Sequence, residues 1–234
     1  MSSHQVLGKQ VDMPVEIRTA SAFMAMYSVP AKAAQRLVDH TGLEILQWRG
    51  GRGLCGLVFV DYIDGDLGPY NEFGVTFMVR DHEQRGFNHV RRDLRSLARG
   101  KAGALIHQLP VDGEFTLAAA AASGASRRSW RTSRPTTSAT SAARRVSQDG
   151  RLIAELTVKQ GIPMPGRGTN TSLDAYSHLD GVTRRTSWDM NPRGVRTRLG
   201  GAELTSGTTR SPTNCDRWGC PAAPWRPPRS RTCG

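Results

Sequence analysis

"LCGLVFVDYIDGDLGPYNEFGVTFMVRD", residues 54–81, holds two apolar runs around a turn. The first, LCGLVFVDYI (54–63), is rich in β-branched and aromatic side chains. In the second, EFGVTFMVRD (72–81), Phe73, Val75, Phe77 and Val79 fall on one face by strict alternation, the period of a half-buried strand. Between them DGDLGPYN (64–71) concentrates the Gly, Pro, Asn and Asp that favour turns. Two strands joined by a turn-rich loop are expected here.

Working outward, EIRTASAFMAMYSV (16–29) suits one long strand or a strand pair. Pro30 then opens AKAAQRLVDH (31–40), where Ala33, Ala34, Leu37 and Val38 recur at helical spacing, and a proline in the first turn is a start signal. LEILQW (43–48) follows, and GRG turns the chain. GALIHQLPVDGEFTLA (103–118) reads as strand, short loop and strand, and GRLIAELTVKQG (150–161) as another strand. No internal repeat is visible. Many strands at short intervals with few helices predict an α+β fold built on a curled, mainly antiparallel sheet.

The net charge is +12 over 234 residues, but it is not spread evenly. Residues 1–118 carry thirteen bases and thirteen acids. Residues 119–146 carry six arginines and no acid, and 207–234 carry five arginines and one acid. The basic excess therefore sits in two biased segments, which read as disordered: one interrupting a single domain over 1–206, the other a tail. Arg/Ser-rich tracts of this kind can neutralise phosphates, yet Trp130 is the one aromatic in the first tract, so nucleic acid is not the expected partner.

Cys55 lies in an apolar run, and Cys215, Cys220 and Cys233 lie in the tail. Their spacing, with no histidine after His178, does not make a zinc site, and no metal is expected. The acids of DGDLG lack the spacing and terminal glutamate of a calcium loop, and GGRG (50–53) lacks the helix of a phosphate-cradling loop. RRDLRSLAR (91–99) reads as a solvated helix face or loop. The N-terminus has no apolar signal region, and no stretch approaches the roughly 18 to 20 apolar residues that span a bilayer, so a cytoplasmic protein without membrane attachment is expected.

The order of helix, LEI, apolar strand, GDLGPYNE (65–72), alternating strand and LIHQLPVDGEFTLAA (105–119) resembles the acetoacetate decarboxylase family, and more closely its bacterial decarboxylase-like branch. PMPGRG (163–168) and RLGGAEL (198–204) fit the same branch less specifically. The resemblance covers roughly residues 10–118 and 147–206. It implies a barrel- or cone-type sheet, a homo-oligomer, a small keto-acid substrate and cofactor-free Schiff-base decarboxylation. A desolvated lysine beside another cation attacks the ketone of a β-keto acid, and acetoacetate decarboxylase is itself the usual illustration of that lysine activation. By the same resemblance Glu72, after the glycine-tyrosine block, handles the proton or carboxylate, with Arg18, Tyr70 and His107 as substrate-binding candidates. Residue by residue, Glu72 reads equally as a solvated strand start, Arg18 as a surface arginine and His107 as a satisfied strand histidine.

The family's lysine belongs about a dozen residues beyond EFTLAA, in an aromatic-proline-lysine stretch. Here that place falls in the basic tract, and no lysine occurs between Lys101 and Lys159. Ser123-Gly124-Ala125-Ser126-Arg127-Arg128 can be encoded TCT GGG GCT TCC CGA AGG. The same bases read one position earlier, behind an A, give Ile-Trp-Gly-Phe-Pro-Lys, the missing motif. From Gly207 the same register yields a short helix-like sequence with a glycine stop. Two frameshifted segments, about 119–146 and 207–234, are therefore expected, with the lysine codon spanning Arg127 and Arg128. An arginine cannot replace it, because a guanidinium stays protonated and is not nucleophilic. The expected product is a family member impaired in decarboxylation. Two alternatives stand beside it: a non-catalytic keto-acid binder, and a basic-tail nucleic-acid binder.

Overall fold

The computed structural model describes residues 3–6, 9–12, 14–48, 50–80, 103–112, 131–133, 136–138, 140–164 and 171–207. Strands dominate them. A hairpin of β1 (Ser3–Val6) and β2 (Lys9–Asp12) precedes β3 (Ile17–Pro30), one unbroken strand of fourteen residues. Helix α1 (Ala31–Val38) starts directly after Pro30, whose φ of −61° is fixed by its ring, and ends in a 3-10 turn, Asp39–Thr41. Gly42, at φ 73°, closes that turn in a left-handed conformation that disfavours a side chain. The helix buries Ala31, Ala34 and Val38, whereas Leu37 is exposed, so the apolar stripe is rotated from the one the sequence spacing indicates.

Next come β4 (Glu44–Ile45), β5 (Arg52–Gly65), β6 (Tyr70–Arg80) and β7 (Gly103–Gln108). Short β8 (Arg131–Thr132) and β9 (Thr136–Thr137) are followed by β10 (Ser141–Gln148), β11 (Arg151–Lys159) and β12 (Ile162–Pro163). The remaining strands are β13 (Thr171–Leu179), β14 (Val182–Met190), β15 (Arg196–Thr197) and β16 (Ala202–Ser206).

One sheet runs β14-β13-β7-β6-β5-β3, with β4 added to β6. Its β7–β13 contact is parallel and every other pairing is antiparallel. It does not close on itself. A second sheet runs β16-β11-β10-β8, with β9 also on β10, and β12 pairs with β15. The α+β, mainly antiparallel architecture expected from the sequence is the one observed.

The alternation in β6 does what its period demands. Phe73 and Phe77 are buried at 5% exposure each and Val79 at 0%. Phe77 and Val79 pack with α1, Leu43, Ile45, Leu105 and Tyr176. Phe73 joins Phe59, Leu57 and Ala25 of the first sheet and Val146, Ala154 and Leu156 of the second. This cluster joins the two layers, and burial of such side chains supplies about 1.5–3 kcal/mol each.

One expectation is corrected. Residues 141–146, assigned above to a disordered basic segment, form most of β10, in register with β11 from Ser141 opposite Lys159 to Gln148 opposite Arg151. Val146 is fully buried, and Arg144 is 3% exposed. Composition misled because Arg144 finds its partners on the other sheet. Residues 113–130, which include the start of that segment, and 208–234 lie outside the described residues. Among the described residues, no helix is long and apolar enough to cross a membrane.

Candidate functional site

The β5–β6 pairing places Tyr62 opposite Tyr70 and Val60 opposite Glu72. Residues two apart on a strand share a face, so Tyr70 and Glu72 lie together, with Tyr62 and Val60 beside them. The tyrosine rings stack at 4.3 Å between centroids with an interplanar angle of 20°. The Tyr62 hydroxyl lies beside the Glu72 carboxylate and the Tyr70 hydroxyl and is electrostatically coupled to both.

Glu72 is 6% exposed and has no ion pair among the described residues, an unusual state for a carboxylate. Burial pushes its carboxyl up to about 7, and the Tyr62 hydroxyl holds it lower than burial alone would. Both tyrosines are driven above their ordinary range, first by burial and then by the neighbouring Glu72 charge. A carboxyl poised near neutrality exchanges a proton at little cost in either direction, which suits general acid or base work.

The backbone around Glu72 is clamped. Phe73 N donates to Pro110 O at 3.0 Å, and Val111 bridges Glu72 itself. Asn71 N and Nδ2 donate to Asp112 Oδ1 and Oδ2 at 2.6 and 3.0 Å, while Asp112 N donates back to Asn71 O at 3.0 Å. From the second sheet, Arg144 Nη1 donates to Asn71 Oδ1 at 2.7 Å, and its Nη2 pairs with Asp61 Oδ2 at 3.0 Å.

Tyr70 thus lies with Glu72. Arg18 is held by other partners: at the turn end of the β5–β6 hairpin, next to the Tyr62–Tyr70 pair, its guanidinium takes both oxygens of Asp64, at 2.8 and 2.9 Å, and Asp66 Oδ1 at 2.8 Å. The Arg18 hydrogen bonds hold Asp64 below the usual carboxylate range, and the Glu16 amide does the same for Asp66. His107 is the extra residue at a register shift, since Thr76 faces Ile106 and Val75 faces Gln108. Its ring meets Phe77 edge-on at 5.5 Å, and burial, then His40, push its basicity down. His40 in turn meets His178 at 4.9 Å. His107 thus meets Phe77, which packs with α1, and lies near His40, which meets His178. No group of three or more His, Cys, Asp or Glu that could hold a metal occurs among the described residues.

The chain has four lysines, Lys9, Lys32, Lys101 and Lys159. Lys32 and Lys159 are exposed, and Lys101 and the Arg127–Arg128 position lie outside the described residues. Sequence reasoning missed Tyr62, Asp61, Asn71, Asp112 and Arg144. Tyr62 was recoverable from hairpin register, because a loop ending at Tyr70 sets Tyr62 across from it.

A family model for acetoacetate decarboxylase (ADC) matches residues 3–211. The solved acetoacetate decarboxylase of Legionella pneumophila subsp. pneumophila str. Philadelphia 1 is 14% identical, covering 82% of this chain and 72% of its own, with a TM-score of 0.53. Another solved acetoacetate decarboxylase is 15% identical over 84% of this chain and 76% of its own, also at 0.53. Such identities carry the fold alone. A comparison with curated protein sequences gives no match.

Proposed function

Since this chain belongs to the acetoacetate decarboxylase family, we propose that Glu72 with Tyr62 and Tyr70 is the proton-handling part of a small keto-acid site. The observation that carries the reading is a buried carboxyl poised near 7 and coupled to one tyrosine of a stacked pair. Its ancestral chemistry is decarboxylation of a β-keto acid through an imine. The lysine amine attacks the ketone, water leaves, and the protonated imine accepts the electron pair as carbon dioxide departs. The resulting enamine is reprotonated at carbon and the imine is hydrolysed, with a buried acid such as Glu72 able to deliver or recover a proton.

The chain itself is impaired in this chemistry. Exposure keeps Lys32 and Lys159 solvated, the opposite of what a nucleophilic amine requires. The reading is a keto-acid site whose imine-forming lysine codon has been read out of frame across Arg127 and Arg128.

The test is acetoacetate with borohydride, followed by intact and peptide mass. The chain as it stands is expected to give no reduced adduct and no carbon dioxide above background. A form in which Ser123–Arg128 is rewritten as Ile-Trp-Gly-Phe-Pro-Lys is expected to gain an adduct on its new lysine. An adduct on Lys101 or Lys159 of the original chain, with turnover, overturns the reading. Tight acetoacetate binding without turnover, lost in Glu72→Gln, marks the chain as a binder that keeps the site.

A further inference from the structure

We propose that Arg144 is a positioning residue for Glu72, holding the strand that carries it from the opposite sheet. The proposal rests on the reading of Glu72 as the proton-handling group.

Arg144 lies 3% exposed in the layer between the sheets. It spans a cross-strand pair: Asp61 and Asn71 are direct partners in the β5–β6 register, and each takes one arm of the guanidinium. A planar fork with fixed donor directions can hold two neighbouring strands in one relation, which a point charge on a flexible stem does less well. On its other side Asn71 grips Asp112 through three hydrogen bonds, at 2.6, 3.0 and 3.0 Å. Arg144, Asn71 and Asp112 thus make a relay that ends on the segment carrying Pro110 and Val111, the residues that tie down Phe73 and Glu72. Without the guanidinium, Asn71 Oδ1 and the Asp61 carboxylate lose a charged donor inside the layer, and nothing fixes the rotamer on which the Asp112 contacts depend.

A purely structural role is the competing account, since breaking any buried ion pair destabilises. The two accounts differ at Glu72. Its carboxyl is set first by burial and then by Tyr62, while the guanidinium binds Asn71, on the opposite face of β6. A change in Glu72 titration on replacing Arg144 therefore reports a change in where Glu72 sits.

The experiment titrates Glu72 by carboxyl carbon NMR, assigned with Glu72→Gln, in the full chain and in Arg144→Met, Arg144→Lys and Leu156→Ala, with urea unfolding alongside. Leu156 is fully buried in the same inter-sheet cluster but makes no part of the relay. Arg144→Met is expected to move the Glu72 titration from about 7 down toward the ordinary value of 4.5 as the loosened site hydrates. Arg144→Lys is expected to move it less, and Leu156→Ala to leave it in place at a comparable loss of stability. Should Arg144→Met not fold, Asp112→Asn, which breaks the far end of the relay, takes its place. An unmoved titration in the folded relay variants, or an equal movement in Leu156→Ala, overturns the positioning role while leaving the site reading intact. A Glu72 that titrates in the ordinary carboxylate range in the unmodified chain overturns both.

Discussion

Tyr62 stacks on Tyr70 at 4.3 Å, and its hydroxyl favours the charged form of Glu72, so one side chain both packs the tyrosine pair and tunes the carboxyl. Its two functions can be separated. Tyr62→Phe keeps the ring and removes the hydroxyl. Since that hydroxyl holds Glu72 below the level burial alone sets, Glu72 in Tyr62→Phe is expected to titrate above its present value of about 7. Carboxyl carbon NMR reads the shift, and a downward movement contradicts the assignment.

Stability should carry the same signature. The folded-state value of Glu72, about 7, lies above its unfolded value of 4.5, so the folded state binds the proton more tightly. That contribution is fully present below the unfolded value and is lost as pH rises through the folded one, a difference of roughly 3 kcal/mol for a group this buried. Urea unfolding from about pH 4 to about pH 8 should show the loss in the unmodified chain relative to Glu72→Gln, in which this component disappears. Parallel curves for the two proteins would remove the carboxyl from its assigned place.

Gly103 opens β7 against the ring of Tyr176. A methyl group there would stand 2.4 Å from Tyr176 Cε2 and 3.5 Å from Asp174 O. Gly103→Ala is expected to destabilise by about 1–3 kcal/mol through overpacking, read as an unfolding midpoint. Tyr176→Leu added to it should recover part of the loss, because the clash is with the ring.

Burial raises the Cys55 thiol to about 11, and β5 holds it against both apolar clusters. Thiolate is the reactive form, so alkylation of Cys55 at neutral pH should be slow in the native protein and speed up in urea. Peptide mass after timed iodoacetamide treatment measures it, and fast native labelling would place Cys55 outside the sheet.

Leu156 is fully exposed only when the layers part. Leu156→Ala is expected to cost about 2–5 kcal/mol, and calorimetry should show both sheets still melting in one transition.

The strands around the 64–71 loop are legible because burial on one side imposes a period of two that no other local structure shares. Glu72 is singled out only through resemblance, since its local pattern reads equally as a solvated strand start. Strand β10 is hidden by composition: an arginine-rich run reads as solvated until Arg144 meets Asn71, 73 residues earlier. A local signal was nevertheless present. Asp149-Gly150 joins β10 to β11 as a two-residue turn with both residues at positive φ, 50° and 75°. His107 could not be placed from its neighbours, because the register shift that sets its direction arises between strands.

Asp180-Gly181 repeats that turn between β13 and β14, with φ of 51° and 76°. Two-residue turns of this kind let hairpins close locally, on a scale of about 1–10 μs. The parallel contact of β7 with β13, Ala104 beside Ala175, instead waits for distant parts of the chain to meet. The polypeptide therefore carries two self-starting hairpins, β10–β11 and β13–β14, and the second of them reaches the rest of its own sheet only through that parallel contact. Such a chain gains its hairpins promptly and its assembled sheet late, and that interval is when a translation product of this kind is most exposed to proteolysis and to capture by chaperones.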